Sequence, residues 1–159
     1  MSSSGGGAVR RAQPDDAEAI GHLLHDFNSE DDEPTSGPAK IAERIRILLG
    51  EGRDMVLLAG AGAGADGLAV LRFRPALCSA GLECYLAELY VVPARRGQGL
   101  GRALMTAAIE LARREGAEYM DLGTSEDDTA ARALYESLGF TNREGGPDGP
   151  LSFHYEREL

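Results

Sequence analysis

Hydrophobic positions recur along the chain at two spacings, one typical of helices and one typical of strands. A helical stripe at i, i+3, i+4 and i+7 runs through residues 13–27, and a second stripe runs through residues 39–52. The first stripe consists of Ile20, Leu23, Leu24 and Phe27, and the second of Ile41, Ile45, Leu48 and Leu49. Both segments are therefore predicted to be amphipathic helices, with residues 28–38 as a polar loop between them.

Short, mostly apolar runs bounded by glycine or proline predict strands. They cover residues 8–12, 54–60, 67–73, 85–92 and 117–124, with two shorter candidates at 140–144 and 152–158. Two further helices are predicted at residues 102–116 and 127–139, one on each side of the 117–124 strand. This order predicts a mixed α+β domain with a mostly antiparallel front half and at least one βαβ crossover. We expect a twisted sheet of about six to seven strands flanked by about four helices.

The length and composition favour a single soluble domain. The chain has 159 residues, of which 43% are hydrophobic, enough for one full core. We expect a flexible tail at residues 1–8 and one domain at residues 9–159. Apolar runs fall short of the roughly 18 residues that a membrane helix needs, and the amino terminus lacks the apolar region of a secretory signal. These features predict a cytoplasmic protein.

Charge and metal-ligand residues exclude several classes of partner. The 16 Lys and Arg against 26 Asp and Glu give a net charge of −10. Nucleic acids and anionic membranes need a basic face, so neither is expected as a partner. A cationic partner is favoured, while solubility alone is the simpler alternative. Cys78 and Cys84 lack a C-x-x-C spacing, and His22, His25 and Asp26 are too few for a metal site, so no metal is expected. The sequence leaves a homodimer open.

One glycine-rich segment, RRGQGLG at Arg95–Gly101, joins a predicted strand to a predicted helix. Glycine at such a junction indicates a backbone with positive φ or a ligand close to the backbone. The first N–H groups of a helix lack partners within the helix, so anions bind there. A Walker A loop is excluded because no Gly-Lys-Ser/Thr triplet is present. A dinucleotide fingerprint is excluded because the glycines follow a G-x-G-x-G spacing.

The remaining pattern, Arg96-x-x-Gly99-x-Gly101 within LAELYVVPARRGQGLGRALM, resembles the R/Q-x-x-G-x-G/A signature of the GNAT superfamily of acetyl-CoA-dependent N-acetyltransferases. The segment AARALYESLGF resembles the family's next recurring segment, and the likeness runs from about Tyr85 to Phe140. The resemblance implies a GNAT-like fold, with acetyl-CoA as cosubstrate and its pyrophosphate held by backbone amides of the glycine segment. The cofactor-binding residues that it implies here are Arg96, Gly97, Gln98, Gly99, Leu100, Gly101, Arg102 and Asp128.

In the family, the pantetheine arm of the cofactor lies along the strand before the glycine segment, and a main-chain N–H near the strand end binds the thioester oxygen. By position, this donor is Val91, with Tyr90 beside it. Simple alternation along this strand places Leu86, Glu88, Tyr90 and Val92 on one face. Glu88 is then a carboxylate among apolar neighbours, where desolvation raises its pKa, and we expect it to be the general base. A solubilising residue near a strand edge is the alternative.

Two residues of the second segment carry further expectations. Tyr135 matches the tyrosine that the family often uses as general acid for the leaving thiolate, and a core aromatic is the alternative. Asp128 stands where the family often has an asparagine that contacts the cofactor arm. Aspartate can cap a helix as well as asparagine does, but it has no N–H to donate, which puts that contact in doubt.

Together these features predict transfer of the acetyl group of acetyl-CoA to a primary amine by direct attack, without a covalent enzyme intermediate. The acidic residues 29–33, SEDDE, follow the first helix, where family members shape the acceptor site. A solvated loop is the simpler interpretation of this stretch, and attraction of a cationic amine is the alternative. The expected acceptor is a small cationic amine, which fits the acidic surface. A protein or peptide amino terminus or lysine remains open as the acceptor. So does a non-catalytic acyl-CoA-binding module, although such a module needs neither Glu88 nor Tyr135.

Overall fold

The structure is a computed structural model, and it describes residues 8–60 and 64–159. Almost all of the expected tail, and part of the turn expected between residues 60 and 67, lie outside the described residues. The chain divides into two compact units, one ending at Leu122 and one beginning at Gly123. The first unit contains the whole sheet.

Five strands form one sheet in the order β1-β2-β3-β4-β5. They are β1 (Val9–Arg11), β2 (Asp54–Ala59), β3 (Gly67–Pro75), β4 (Leu82–Val91) and β5 (Ala117–Leu122). Neighbours from β1 to β4 are antiparallel, and β4 and β5 are parallel. The antiparallel front half and the βαβ crossover are therefore confirmed. The expected count of six to seven strands is too high.

Three α-helices belong to the same unit. They are α1 (Ala17–Glu30), α2 (Pro38–Glu51) and α3 (Leu100–Arg114). A 3-10 turn at residues 14–16 leads into α1, and there Arg10 pairs with Asp16 at 2.8 Å. The predicted helices are confirmed, but α1 runs on to Glu30, so the first part of the expected acidic loop is helical.

The sheet lies between two helical layers. α1 and α2 cover one face through a cluster that contains Ile20, Leu23, Ala42, Ile45, Val56, Leu58, Leu68, Val70 and Tyr90. α3 packs against the strands with residues outside that cluster, among them Leu104, Met105 and Ala108, and so it covers the other face. The close approach of α1 to α2 depends on Gly21, where an added Cβ would collide with the carbonyl oxygen of Pro38.

A β-bulge interrupts the pairing of β3 with β4. Val70 pairs with Glu88, but the next residue, Leu71, pairs with Leu86, which leaves Ala87 as the extra residue. Paired residues share a face and successive residues alternate, so Leu86 and Glu88 lie on opposite faces. The prediction that they share a face is wrong, because strict alternation does not allow for an inserted residue. Glu88 stays with Val70 on the face covered by α1 and α2.

The second unit contains one regular element, α4 (Thr129–Ser137). The side chain of Asp128 accepts a hydrogen bond from the N–H of Ala131 at 3.1 Å. Asp128 therefore caps α4, as its position before the helix predicts. No helix among the described residues is long and apolar enough to cross a bilayer.

The two strands predicted after α4, at 140–144 and 152–158, do not form. Between them the structure has a single antiparallel bridge that joins Arg143 to Leu151. Pro150, next to this bridge, has no N–H to contribute to a ladder, and the residues that follow Leu151 are exposed. This correction accounts for the lower strand count.

Candidate active site

The carboxyl-terminal half of β4 has an edge that β5 does not cover. The parallel pairing ends where Leu86 meets Leu122, whereas β4 continues to Val91. Val92 donates its N–H to the carbonyl oxygen of Asp66, on the β3 side, at 2.8 Å. Because N–H groups alternate between the two edges of a strand, Val91 directs its N–H to the uncovered edge. This is the orientation that a thioester-binding donor at Val91 requires.

The glycine loop (residues 93–101) follows directly. Gly97 and Gly99 have φ of +73° and +85°, values that a side chain makes costly. Among the residues that the structure describes, none would come within 4 Å of a Cβ added at either position, so the described chain leaves the space above both glycines open. α3 begins at Leu100 without a side-chain cap, which leaves its first N–H groups for a ligand. Leu100 itself is a buried residue.

Arg96 is engaged by the protein itself. Its terminal nitrogen Nη2 lies 2.9 and 2.7 Å from the two carboxylate oxygens of Glu30, at the end of α1. Its Nε donates to the carbonyl oxygen of Val91 at 3.0 Å, and its guanidinium carbon lies 5.7 Å from the centre of the Tyr90 ring. Tyr90 in turn stacks on Phe27 of α1, with ring centres 5.0 Å apart. Arg96 thus ties the end of α1 to the end of β4.

A cavity of about 310 Å³ lies between the α1–α2 layer and the sheet. Its wall is mostly apolar and is formed by Leu24, Pro34, Ile41, Ile45, Leu48, Leu49, Val56 and Val70. Its polar lining comes from Asn28, Thr35, Ser36, Asp54, Arg72 and Glu88. His25 Nδ1 lies 2.6 Å from the hydroxyl of Thr35, which fixes the loop that closes one side. We call this space the α1–α2 cavity.

Glu88 is the ionisable group that β4 contributes to the α1–α2 cavity. Burial raises the pKa of its carboxyl group, the nearby positive charge of Arg72 opposes that shift, and the negative charge of Glu33 adds to it. A carboxylate with a raised pKa is a stronger base near neutral pH. Glu33 belongs to the predicted acidic stretch, so that stretch contributes negative charge near Glu88, whereas its Glu30 holds Arg96.

Sequence reasoning did not identify Asp54 and Arg72. Arg72 Nε lies 3.2 Å from Asp54 Oδ1, and the two residues are paired across β2 and β3. Each comes from an ordinary strand pattern, and only the register brings them to one wall of the cavity with Glu88. No local motif in the sequence marks this arrangement.

Tyr135 lies on α4, in the second unit, and is buried with its ring edge-on to Phe140 at 6.1 Å. Burial, aided by the negative charge of Asp128, raises the pKa of its phenol to about 12. The hydroxyl therefore stays protonated throughout the neutral range. Among the described residues, no group of three or more His, Cys, Asp or Glu side chains is placed to hold a metal ion.

Comparison with known proteins gives consistent findings. Residues 18–140 match the sequence profile of the Acetyltransferase (GNAT) family. A mycothiol acetyltransferase from Thermobispora bispora is 36% identical over 136 residues, which cover 82% of this chain and 40% of that protein. An L-methionine sulfoximine/L-methionine sulfone acetyltransferase from Salmonella typhimurium is 45% identical over 54 residues, 34% of this chain and 32% of that protein. The chain thus spans less than half the length of either relative.

A solved structure matches over the whole chain. A protein from Arthrobacter sp. FB24, assigned to the acetyltransferases, superimposes with a TM-score of 0.86 at 42% identity, over 100% of both chains.

Proposed function

Because the chain belongs to the GNAT acetyltransferase family, we propose that residues 9–159 act as one domain that transfers the acetyl group of acetyl-CoA to a primary amine. One observation carries the proposal. Within four residues, β4 presents the N–H of Val91 at an uncovered edge and the carboxylate of Glu88 to a cavity. A strand that offers an oxyanion donor and a base three residues apart suits acyl transfer to an amine.

The cofactor would occupy the uncovered edge and the glycine loop. The pantetheine arm would run beside the end of β4, and the pyrophosphate would accept N–H groups from the loop and the first turn of α3. The backbone of Gly97, Gln98, Gly99, Leu100, Gly101 and Arg102 would provide these contacts. Arg96 would act mainly by fixing the strand end, since its guanidinium already holds Glu30 and Val91.

The chemistry follows from this placement. The amine nitrogen attacks the thioester carbonyl carbon, a C–N bond forms, and the C–S bond breaks. Val91 stabilises the negative charge that develops on the carbonyl oxygen, an effect worth roughly 3 kcal/mol. The cationic amine loses one proton to Glu88 before it attacks and a second proton after the C–N bond has formed. Since residues three apart on a strand are separated by roughly 10 Å, a water between Glu88 and the amine fits this spacing.

Tyr135 would stabilise the leaving thiolate as a hydrogen-bond donor. The pKa of this phenol, about 12, lies well above that of an ordinary thiol, near 8.5. Complete proton transfer from Tyr135 to the thiolate is therefore uphill by roughly 5 kcal/mol. Donation without full transfer is therefore the role that its environment supports. The second proton lost by the amine goes to the thiolate, which leaves as the thiol of CoA, and Glu88 returns the first proton to solvent.

The acceptor would be a small amine that enters the α1–α2 cavity in its cationic form. The cavity is small and lined by α1, α2 and the sheet, and Glu88 and Glu33 add negative potential. The Salmonella relative named for L-methionine sulfoximine and sulfone fits an acceptor of this size. Both cysteines of the chain are free thiols, which suits a reducing cytoplasm, where we place the reaction.

The pH dependence of Glu88→Gln tests the proposal. A typical primary ammonium has a pKa near 10, so only about one molecule in a thousand is neutral at pH 7. The wild type should accept the charged amine, and its kcat/KM should change little with pH once Glu88 is ionised. The variant can use only the neutral form of the amine. Its kcat/KM should therefore be far lower near pH 7 and rise about tenfold per pH unit.

Glu83→Gln is the matched control, because Glu83 lies on the same strand and pairs with Arg74 outside the cavity. Its pH profile should follow the wild type. Equal profiles for wild type and Glu88→Gln would remove Glu88 as the base. If acetyl-CoA binds but no amine releases thiol, the alternative of a non-catalytic binding module is supported instead. Transfer to peptide amino termini but not to small amines would favour a protein acceptor.

A further inference from the structure

We infer that the α1–α2 cavity selects amines of the amino-acid class, with a carboxylate close to the amino group and an apolar side chain, and that Arg72 binds the carboxylate. This inference rests on the proposed acetyl transfer at the same site. It narrows the acceptor from any small amine to one that carries both charges.

The register of the sheet places the required groups together. Val70 pairs with Glu88 on β4, and Arg72, two residues further on, pairs with Asp54 on β2. Residues two apart on a strand share a face, so Arg72 and Glu88 face the same cavity as diagonal neighbours, with Cα atoms roughly 7 to 8 Å apart. The two long side chains can therefore reach the two ends of one small zwitterion, with the amine at Glu88 and the carboxylate at Arg72.

Arg72 is held in place and still has hydrogen-bond donors to offer. Its Nε side faces Asp54, whose side chain is only 11% exposed, while the side chain of Arg72 is 58% exposed. The guanidinium group carries five N–H donors in a planar fork, so one carboxylate does not use them all. Asp54 orients the fork, and the terminal nitrogens remain for a second carboxylate that arrives with the ligand.

The charge pattern of the cavity favours a zwitterion over a polycation. Asp54 is already neutralised by Arg72, so Glu88 is the lining carboxylate without a partner of its own at contact distance in the described residues. One ammonium group satisfies Glu88. A second ammonium group on the acceptor would meet the Arg72–Asp54 pair, which has no net negative charge to hold it.

The wall that the two helices form accounts for the apolar side chain expected of the ligand. Five aliphatic side chains from the two helices line it, Leu24, Ile41, Ile45, Leu48 and Leu49. An aliphatic or thioether side chain would remove this surface from water, whereas a polar sugar ring would leave its hydroxyls without partners there. The cavity therefore fits an amino acid such as leucine or methionine better than a hydroxyl-rich amine.

The test compares L-leucine with L-leucinamide, which has the same side chain but no carboxylate. For each protein we would measure kcat/KM by thiol release and form the acid-to-amide ratio. The two amines differ in pKa, but this difference cancels when the ratios of two proteins are compared. Loss of a hydrogen bond to a charged group should lower the ratio about tenfold to a hundredfold in Arg72→Gln. Arg46→Gln, which removes an exposed arginine of α2 paired with Glu18, should leave the ratio unchanged.

Arg72→Gln leaves Asp54 without its partner, so a second variant protects the test against a folding defect. Asp54→Asn/Arg72→Gln removes both charges together and should show the same fall in the ratio. A binding measurement without turnover is the third arm. N-acetyl-L-leucine, but not its amide, should raise the Tm of the wild type in the presence of CoA, and the double variant should lose this difference.

The outcomes separate this inference from the proposed function. An acid-to-amide ratio that is the same in the wild type and both Arg72 variants overturns the role of Arg72. Efficient acetylation of amines, with amino acids among the poorest, overturns the acceptor class while acetyl transfer stands. If no amine accepts the acetyl group, the proposed function fails, and equal binding of the N-acetyl acid and its amide then overturns the inference as well.

Discussion

The glycine loop and the α1–α2 cavity are built in opposite ways. The loop is one continuous stretch of nine residues, and the ligand contacts proposed for it come from backbone N–H groups around Gly97 and Gly99. The cavity takes its lining from α1, α2, three strands and the loop at residues 34–36. The contacts proposed for it come from side chains. The first region is formed by one local segment, and the second depends on the register of the whole sheet.

The two regions meet at the end of α1. Phe27 stacks on Tyr90, and Glu30 holds Arg96, which in turn holds the carbonyl of Val91. The helix that forms one wall of the cavity therefore also fixes the strand end that precedes the glycine loop. This contact links the wall of the proposed acceptor cavity to the strand end that precedes the proposed cofactor loop.

Gly99→Val should have the largest effect, because it removes the local device. The change adds bulk where the pyrophosphate must approach the backbone, and acetyl-CoA should no longer raise the Tm. Gly52→Val is the matched control, since Gly52 has φ +73° and ψ 8° at the end of α2, against +85° and 5° for Gly99. Both variants should lose stability by about 1 to 3 kcal/mol from backbone strain. Only Gly99→Val should lose the response to cofactor, and a full response in that variant would contradict the phosphate-loop role.

The contrast between the regions also explains what the sequence predicts. The strand before the glycine loop, the loop and the helix after it follow one another without interruption from Leu82 to Arg114, so their order and conformation follow from the local pattern. Glu88 is proposed as the base for the same reason, since it lies on that strand. Asp54 and Arg72 are not predicted, because their pairing depends on how β2 and β3 align, which no local pattern specifies.

Two misplaced details have physical causes of the same kind. The bulge at Ala87 turns Leu86 away from Glu88, and an inserted residue leaves no mark in the hydrophobic pattern. The strands expected after α4 have alternating residues such as Phe153 and Tyr155, which the structure leaves exposed without a paired ladder. Alternation shows that a strand is compatible with a segment, but a ladder also needs a partner with donors to pair.

Tyr135→Phe tests whether acetyl transfer needs a hydroxyl group that belongs neither to the glycine loop nor to the α1–α2 cavity. The hydroxyl would act on the thiolate as it leaves, so its loss should lower kcat about tenfold to a hundredfold, the value of a hydrogen bond to a charged group. The phenyl ring keeps the edge-on contact with Phe140, and the Kd for acetyl-CoA should stay within about twofold. Tyr155→Phe, at an exposed tyrosine of the same unit, is the control. Unchanged turnover in Tyr135→Phe would make Tyr135 a core aromatic only.

Glu30→Gln tests the contact that joins the two regions. Removing the charge should loosen Arg96 and the end of β4, so the Kd for acetyl-CoA should rise by up to about fivefold, the range of a partly exposed ion pair. Glu18→Gln, at another paired acid of α1, should leave the Kd unchanged. Tighter cofactor binding in Glu30→Gln would have the opposite meaning, because it would show that Glu30 competes with the cofactor for Arg96.

The smallest expected effect is on the stability of the folded protein, which is lowered when Glu88 ionises in the α1–α2 cavity. Burial raises the pKa of Glu88 in the folded protein, whereas in the unfolded chain it stays near the ordinary value of about 4.3. Between these two pKa values the folded state binds more protons than the unfolded state, so the stability of the protein falls as pH rises through this range. Above the range the stability stays at the lowered value. Glu88→Gln cannot ionise, so its Tm should exceed that of the wild type by a few degrees at neutral pH. The difference should shrink towards zero below the ordinary glutamate pKa, where both side chains are neutral.

The measurement is Tm against pH without cofactor, with Glu83→Gln as control, because Glu83 is stabilised by Arg74 and should show no gain at neutral pH. A Tm difference between Glu88→Gln and wild type that is absent at neutral pH, or that does not change with pH, would mean that the cavity accommodates the charge at no cost.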